Sequence, residues 1–109
     1  MIQPFYKVAT TIDLSAANST TFEGTAPFPN ISFQYVWSSV VGAASSFKLQ
    51  SSNDNSNFDD MTGYTGTTSG GSGSGSWQIT GYSFLFYRVL VTSASTSGNL
   101  IVTASGNGA

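Results

Sequence analysis

Oxygen-bearing side chains crowd into one stretch of this sequence, Asn53-Asp54-Asn55-Ser56-Asn57-Phe58-Asp59-Asp60. Asn53, Asn55, Asn57 and Asp59 fall at alternate positions, as ligands do in calcium loops, and they are the candidate cation ligands. An EF-hand loop needs glycine at its sixth position and a bidentate Glu at its twelfth. Counted from Asn53, those positions hold Phe58 and Tyr64. The preferred reading is therefore an Asx-turn between two strands, in which the carboxylate and amide oxygens bond local backbone N–H groups instead of a cation. No resident metal or other cofactor is expected.

Acid–base chemistry by paired carboxylates would draw on Asp13, Glu23, Asp54, Asp59 and Asp60, two of them facing each other across a cleft. Neighbours such as Asp59 and Asp60 point to opposite faces of an extended chain. The Gly70–Gly75 stretch lacks the Lys-Ser/Thr of a phosphate-binding loop and precedes a strand, so no helix N-terminus backs it. Histidine and cysteine are absent, which removes a Ser-His-Asp triad and the usual zinc, copper and haem ligands. The expected protein is not an enzyme. Arg88 lies in an apolar run and requires a partner, because a buried unpaired guanidinium is costly; Asp59 or Asp60 is the expected one, Asp60 first, in a structural salt bridge.

Aromatic side chains are the remaining source of chemistry. Trp37, Trp77, Tyr64, Tyr82 and Tyr87 offer flat surfaces on which a sugar ring could stack, and Trp77, beside a Gly/Ser-rich stretch, is the best-placed platform. Aromatic residues at period two are more often core or interface. Phe5, Tyr6, Phe28 and Trp77 are the expected partner-contact residues.

The elements that position these residues are strands. In Val8, Thr10, Ile12 and Leu14, apolar positions alternate with polar ones, as in a half-buried strand. Thr21-Phe22-Glu23 is a short edge piece, and the two prolines of Pro27-Phe28-Pro29-Asn30 exclude ladder pairing there. Ile31, Phe33, Tyr35 and Trp37 share one face of the clearest strand. Phe47, Leu49 and Ser51 define the next, expected to form a hairpin with it. Phe58 and Met61 are anchors after the polar turn. Residues 65–76 are expected to be a flexible low-complexity loop. Trp77–Thr80 is a short strand, and Tyr82–Thr92, apolar on both faces, a central one. Leu100 and Val102 mark the last. With no helix-length periodicity and a chain of 109 residues, the expectation is all-β. It is a single domain over 1–109, an antiparallel two-sheet sandwich of about eight strands, jelly-roll or immunoglobulin-like.

Composition narrows the partners. Only 7% of residues are charged, with three basic against five acidic, where soluble domains carry about 25%. Roughly thirty Ser and Thr residues supply the polarity. Three basic residues make no cationic footprint for nucleic acid. No apolar run reaches membrane-spanning length, and Met1–Lys7 lacks the pattern of a secretory signal, so neither membrane insertion nor export by that route is expected. Ends such as Gly106–Ala109 fray unless neighbours hold them, which favours an assembly.

Phe47-Lys48-Leu49-Gln50-Ser51-Ser52-Asn53-Asp54-Asn55, Phe58-Asp59-Asp60, Tyr87-Arg88-Val89 and Gly98-Asn99-Leu100-Ile101-Val102 together resemble a pattern in small β-sandwich virion proteins of tailed bacteriophages, of the capsid decoration or cement type. There an aromatic-x-aliphatic-x-Ser strand enters an Asn/Asp turn and an aromatic-x-Asp corner, and a Tyr-Arg-aliphatic strand precedes the last hairpin. The likeness covers about residues 31–103. Asn55 replaces the turn glycine, Phe58 replaces a Trp, and the Ser/Gly stretch is an insertion. The resemblance implies a virion component, assembled in the host cytoplasm, whose partners are copies of itself and a major capsid or other virion protein. The other implied role is a head-fibre, tail or receptor-binding module that recognises host glycans through exposed aromatics.

Overall fold

Phe47 and Leu49 on one strand, and Ile31, Phe33, Tyr35 and Trp37 on another, need a common apolar interior, and two facing sheets about 10 Å apart supply it. The computed structural model describes residues 5–23, 30–80 and 84–107, with residues 5–8, 23 and 107 by backbone alone. Among the described residues there is no helix. The strands are β1 (Phe5–Asp13), β2 (Ser19–Glu23), β3 (Asn30–Val41), β4 (Ser46–Ser52), β5 (Asp59–Thr67), β6 (Gly73–Thr80), β7 (Phe86–Ser93) and β8 (Ser97–Asn107). They form two four-stranded antiparallel sheets, ordered β1-β8-β3-β6 and β2-β7-β4-β5.

Pairing is nested. β1 bonds β8, β2 bonds β7, β3 bonds β6 and β4 bonds β5. This wrapping is that of a jelly roll, not of an immunoglobulin domain. Only β4 and β5 are chain neighbours within one sheet, so the Asn/Asp turn closes the innermost hairpin.

The nesting corrects the expected β3–β4 hairpin, since the two strands lie in opposite sheets. Their alternation was legible and their partner was not. Gly42, at φ 89°, turns the chain out of the first sheet. Ser45, fully buried, then donates its hydroxyl to Ser93 O at 2.7 Å and its N–H to Thr68 Oγ1 at 2.9 Å. These bonds fix β4 beside β7, where Phe47 and Leu49 face the Ile31–Trp37 stripe.

The flexible loop expected over 65–76 is also corrected. β5 runs to Thr67 and β6 begins at Gly73, which confines the connection to 68–72. The Gly/Ser repeat extends as a strand because three glycines lie directly opposite large rings: Gly66 opposite Phe47, Gly73 opposite Trp37 and Gly75 opposite Tyr35. Each ring lies across its partner's backbone, where a Cβ would come within 3.0 Å of ring atoms. Glycine weakens a strand through chain entropy, and here the covering ring offsets that cost by removing apolar surface from water. Trp37 is held further by its indole N–H, which donates to Ser69 O at 3.3 Å.

The core is a graded aromatic stack. Tyr35 packs edge-on against Phe47 at 4.9 Å between centroids and tilts against Trp77 at 4.8 Å, while Phe33 meets Phe22 at 5.3 Å and Tyr87 at 5.7 Å. Such pairs contribute about 0.5–1.5 kcal/mol each beyond burial. Ile12, Leu14, Leu49, Val89, Leu100 and Val102 fill the space between them.

Gly73→Ala is expected to lower stability by about 1–3 kcal/mol, because the buried Trp37 ring cannot withdraw. Gly71→Ala, whose Cβ would meet nothing nearer than 3.7 Å, is expected to stay within about 0.5 kcal/mol of the parent. Urea unfolding of the two variants reads the difference.

Candidate functional site

Ser52 starts the Asn/Asp turn by presenting its hydroxyl to the N–H groups of Asp54 and Asn55, at 3.2 and 3.0 Å. Asp54 then collects the donors of the turn. Its Oδ1 accepts from Ser52 Oγ, Ser56 N and Asn57 N at 2.8–2.9 Å, and its Oδ2 from Asn57 Nδ2 at 2.7 Å. These bonds, led by the Asn57 backbone N–H, hold the Asp54 carboxyl well below the usual carboxylate range. Asn55 takes the left-handed conformation, φ 58°, that the missing glycine would have supplied.

Of the four candidate cation ligands, Asn53, Asn57 and Asp59 line one shallow cleft beside Asp54, and each is engaged otherwise. Asn53 Oδ1 accepts the Leu85 N–H at 3.1 Å, Asn57 turns its amide donor to Asp54, and Asp59 stands on β5 opposite Ser51. The turn is organised around Asp54, a residue outside that set, as an Asx-turn requires. Among the described residues no group of three acidic side chains is gathered for a metal. Beside the turn, a shallow cleft of about 320 Å³ is lined by Ser51, Asp59, Asp60, Met61, Tyr64 and Phe84.

Arg88 corrects a second expectation. Its partner is Gln50, whose Oε1 accepts from Arg88 Nε at 2.9 Å and also from Nη2. Gln50 Nε2 in turn donates to Asp60 Oδ1 at 2.8 Å, and Asp60 forms its ion pair with Lys48 at 2.9 Å. The guanidinium lies 4.1 Å above the Phe58 ring, a cation–π contact. The register explains the substitution: Gln50 faces Arg88 on β7 and Asp60 on β5, so it stands between them. Bonds from Gln50 first, then Lys48, lower the Asp60 pKa. Gln50 is out of phase with Phe47 and Leu49, but its role as the bridge is defined only by the β4–β7 register.

Trp77 corrects a third. It is 6% exposed, its ring packs on Tyr35 and Phe47, and its indole N–H donates to Thr65 O at 3.1 Å. It is a core residue, not an exposed platform or partner contact. The backbone of Phe5 and Tyr6 lies in β1 opposite Asn107 and Gly106, while their side chains, and Phe28 and Tyr82 altogether, lie outside the described residues.

The two outer faces differ. Lys48, Asp60 and Arg88 all lie on the second sheet, cross-linked as above. On the first sheet, Thr11, Ile101, Val36 and Ser74 form one row across β1, β8, β3 and β6, and Ala9, Thr103, Gln34 and Ser76 the next. Val36 and Ile101, 39% and 42% exposed, sit side by side at its centre. Among the described side chains of this face only Asp13, at its corner, is charged, and its carboxylate accepts the Ser15 N–H at 2.9 Å.

No protein-family model matches the chain, and no curated protein sequence is similar to it. Solved structures are similar in fold. The SPBc2 prophage-derived protein YomS aligns with TM-score 0.63 and 12% identity, over 97% of this chain and 98% of that one. A Bacillus endospore appendage protein, from a family of disulfide-linked pili, aligns with TM-score 0.54 and 15% identity over 98% and 91%. A truncated AlyQ with CBM32 and alginate lyase domains aligns with TM-score 0.60 and 20% identity, over 94% of this chain and 26% of that one.

Trp77→Ala is expected to cost about 3–5 kcal/mol by chemical denaturation. Gln50→Ala is expected to cost about 1–3 kcal/mol, since it strips the acceptor from Arg88, and Asp60→Ala less. Because the Asp54 pKa is depressed by folding, its contribution is complete above the unfolded value, about pH 4, and is lost as pH falls below that. The thermal midpoint of the parent should therefore drop below about pH 4, and that of Asp54→Asn should drop less.

Proposed function

We propose that this chain is a non-enzymatic structural subunit of a bacteriophage virion, a decoration or cement protein that packs on the capsid shell and reinforces it through repeated contacts. The observation that carries this reading is the centre of the first sheet's outer face, where Val36 and Ile101 lie among uncharged neighbours. Depletion of charge at the centre of a patch is a mark of protein interfaces. A face four strands wide at about 4.8 Å spacing and some ten residues long at about 3.3 Å approaches the roughly 800 Å² per partner of a stable contact.

The jelly roll is used by viral capsid domains, and by lectins too, so fold alone does not select the role. Likeness in fold to a prophage protein and to a pilus protein is in keeping with an assembly subunit. The glycan-binding alternative loses its main platform with the burial of Trp77. Apolar contacts worth about 25 cal/mol per Å², repeated over a shell, would stabilise it without any chemistry at the surface.

Quantitative mass spectrometry of purified particles from the source tests the reading. Hundreds of copies, in a simple ratio to the major coat protein, are expected, and Val36→Asp together with Ile101→Asp should abolish incorporation while the isolated protein still folds. A few copies per particle would place the chain at a vertex or tail, and its absence from particles would refute the proposal.

A further inference from the structure

Sheet edges are where chains recruit strands from other chains, and proteins guard them with charge, proline, bulges or shortness. Among the described residues, three of the four edges are guarded. β1 carries Lys7 and Asp13, β2 has five residues and ends at Glu23, and β5 opens on Asp59-Asp60 and is broken by a register irregularity opposite Lys48–Gln50. β6, Gly-Ser-Gly-Ser-Trp-Gln-Ile-Thr, runs eight residues with no charge, no proline and no register shift against β3. We propose that β6 is a docking edge for a second copy of this chain, the two β6 strands pairing antiparallel about Gly75 so that two four-stranded sheets become one of eight.

The geometry favours that register. Tyr64 Oη donates to Gln78 O at 3.3 Å, which closes one end of the edge. Alternate residues of a strand turn their N–H and C=O to the same side, so Ser74 and Ser76 present theirs where Gln78 does, with no tyrosine across them among the described residues. Pairing about Gly75 sets Ser74 against the second copy's Ser76 and the reverse, which satisfies these groups. The half-buried Tyr35 ring lies across Gly75, and the incoming strand covers its open side.

Charge selects a second copy over a charged peptide. β6 has no ionisable group to attract one and none to repel itself. The Tyr64–Gln78 bond sets β5 alongside β6 with Asp59 and Asp60 beyond Thr80, about five residues from the axis. At about 3.3 Å per residue, the acidic ends of the two copies stand roughly 30 Å apart, several times the ~8 Å Debye length. The pairing is independent of the virion reading and is tested without particles.

Sedimentation velocity over a concentration series is the experiment. The parent should show a monomer–dimer equilibrium. Ser76→Pro removes an N–H that no strand within the chain uses and should weaken dimerisation at least tenfold with the unfolding midpoint little changed. Ser76→Lys, which keeps the N–H and adds an edge charge, should do the same if the proline variant fails to fold. A parent monomeric at every concentration, or a folded lysine variant that dimerises like the parent, would overturn the proposal. Dimers that fail to incorporate into particles would refute the shell reading and leave this one standing.

Discussion

Large rings laid across glycines on the facing strand are the constraint on which this structure depends. Phe47 over Gly66, Trp37 over Gly73 and Tyr35 over Gly75 tie a Gly/Ser sequence into the sandwich. Without the rings, that sequence would behave as a flexible chain, with an r.m.s. reach of about 5–6 Å times the square root of its length. With them, it becomes the edge strand of the first sheet and completes the nested pairing. Any side chain at Gly73 would press on the Trp37 ring and strain the indole bond to Ser69 O that shapes the 68–72 connection.

From that constraint follow the two contrasting faces. Once β6 is a strand, its serines join Ser32, Gln34, Thr103 and Thr11 in a polar surface whose centre carries no charge, while Lys48, Gln50, Asp60 and Arg88 are cross-linked on the other sheet. Exposed ion pairs of the Lys48–Asp60 kind contribute at most about 1 kcal/mol. Their effect here is positional: they hold β4, β5 and β7 in register around the partly buried Arg88.

Much of the fold was readable from alternation. Ile31, Phe33 and Trp37 face inward as their spacing implies, Phe22 sits on a short edge strand, and β7, apolar on both faces, is central. Pairing partners were not readable, because period two fixes which face a residue takes and not which strand lies beside it. The β3–β4 hairpin failed for that reason, and so did Arg88, whose acceptor Gln50 is defined only by the β4–β7 register. The Gly/Ser strand was misread because composition reports local flexibility, whereas the rings that order it are 19 to 40 residues away in sequence. The Asn/Asp turn was legible since its bonds are local, spanning residues 52–57.

Backbone ¹⁵N relaxation at Gly73–Ser76 tests the central claim most directly, because it asks whether the Gly/Ser stretch is strand or linker. Order parameters near 0.85, matching those of β3, are the expected result. Values below about 0.6 across these four residues would contradict it, and with it the ring-over-glycine pairing and the docking edge.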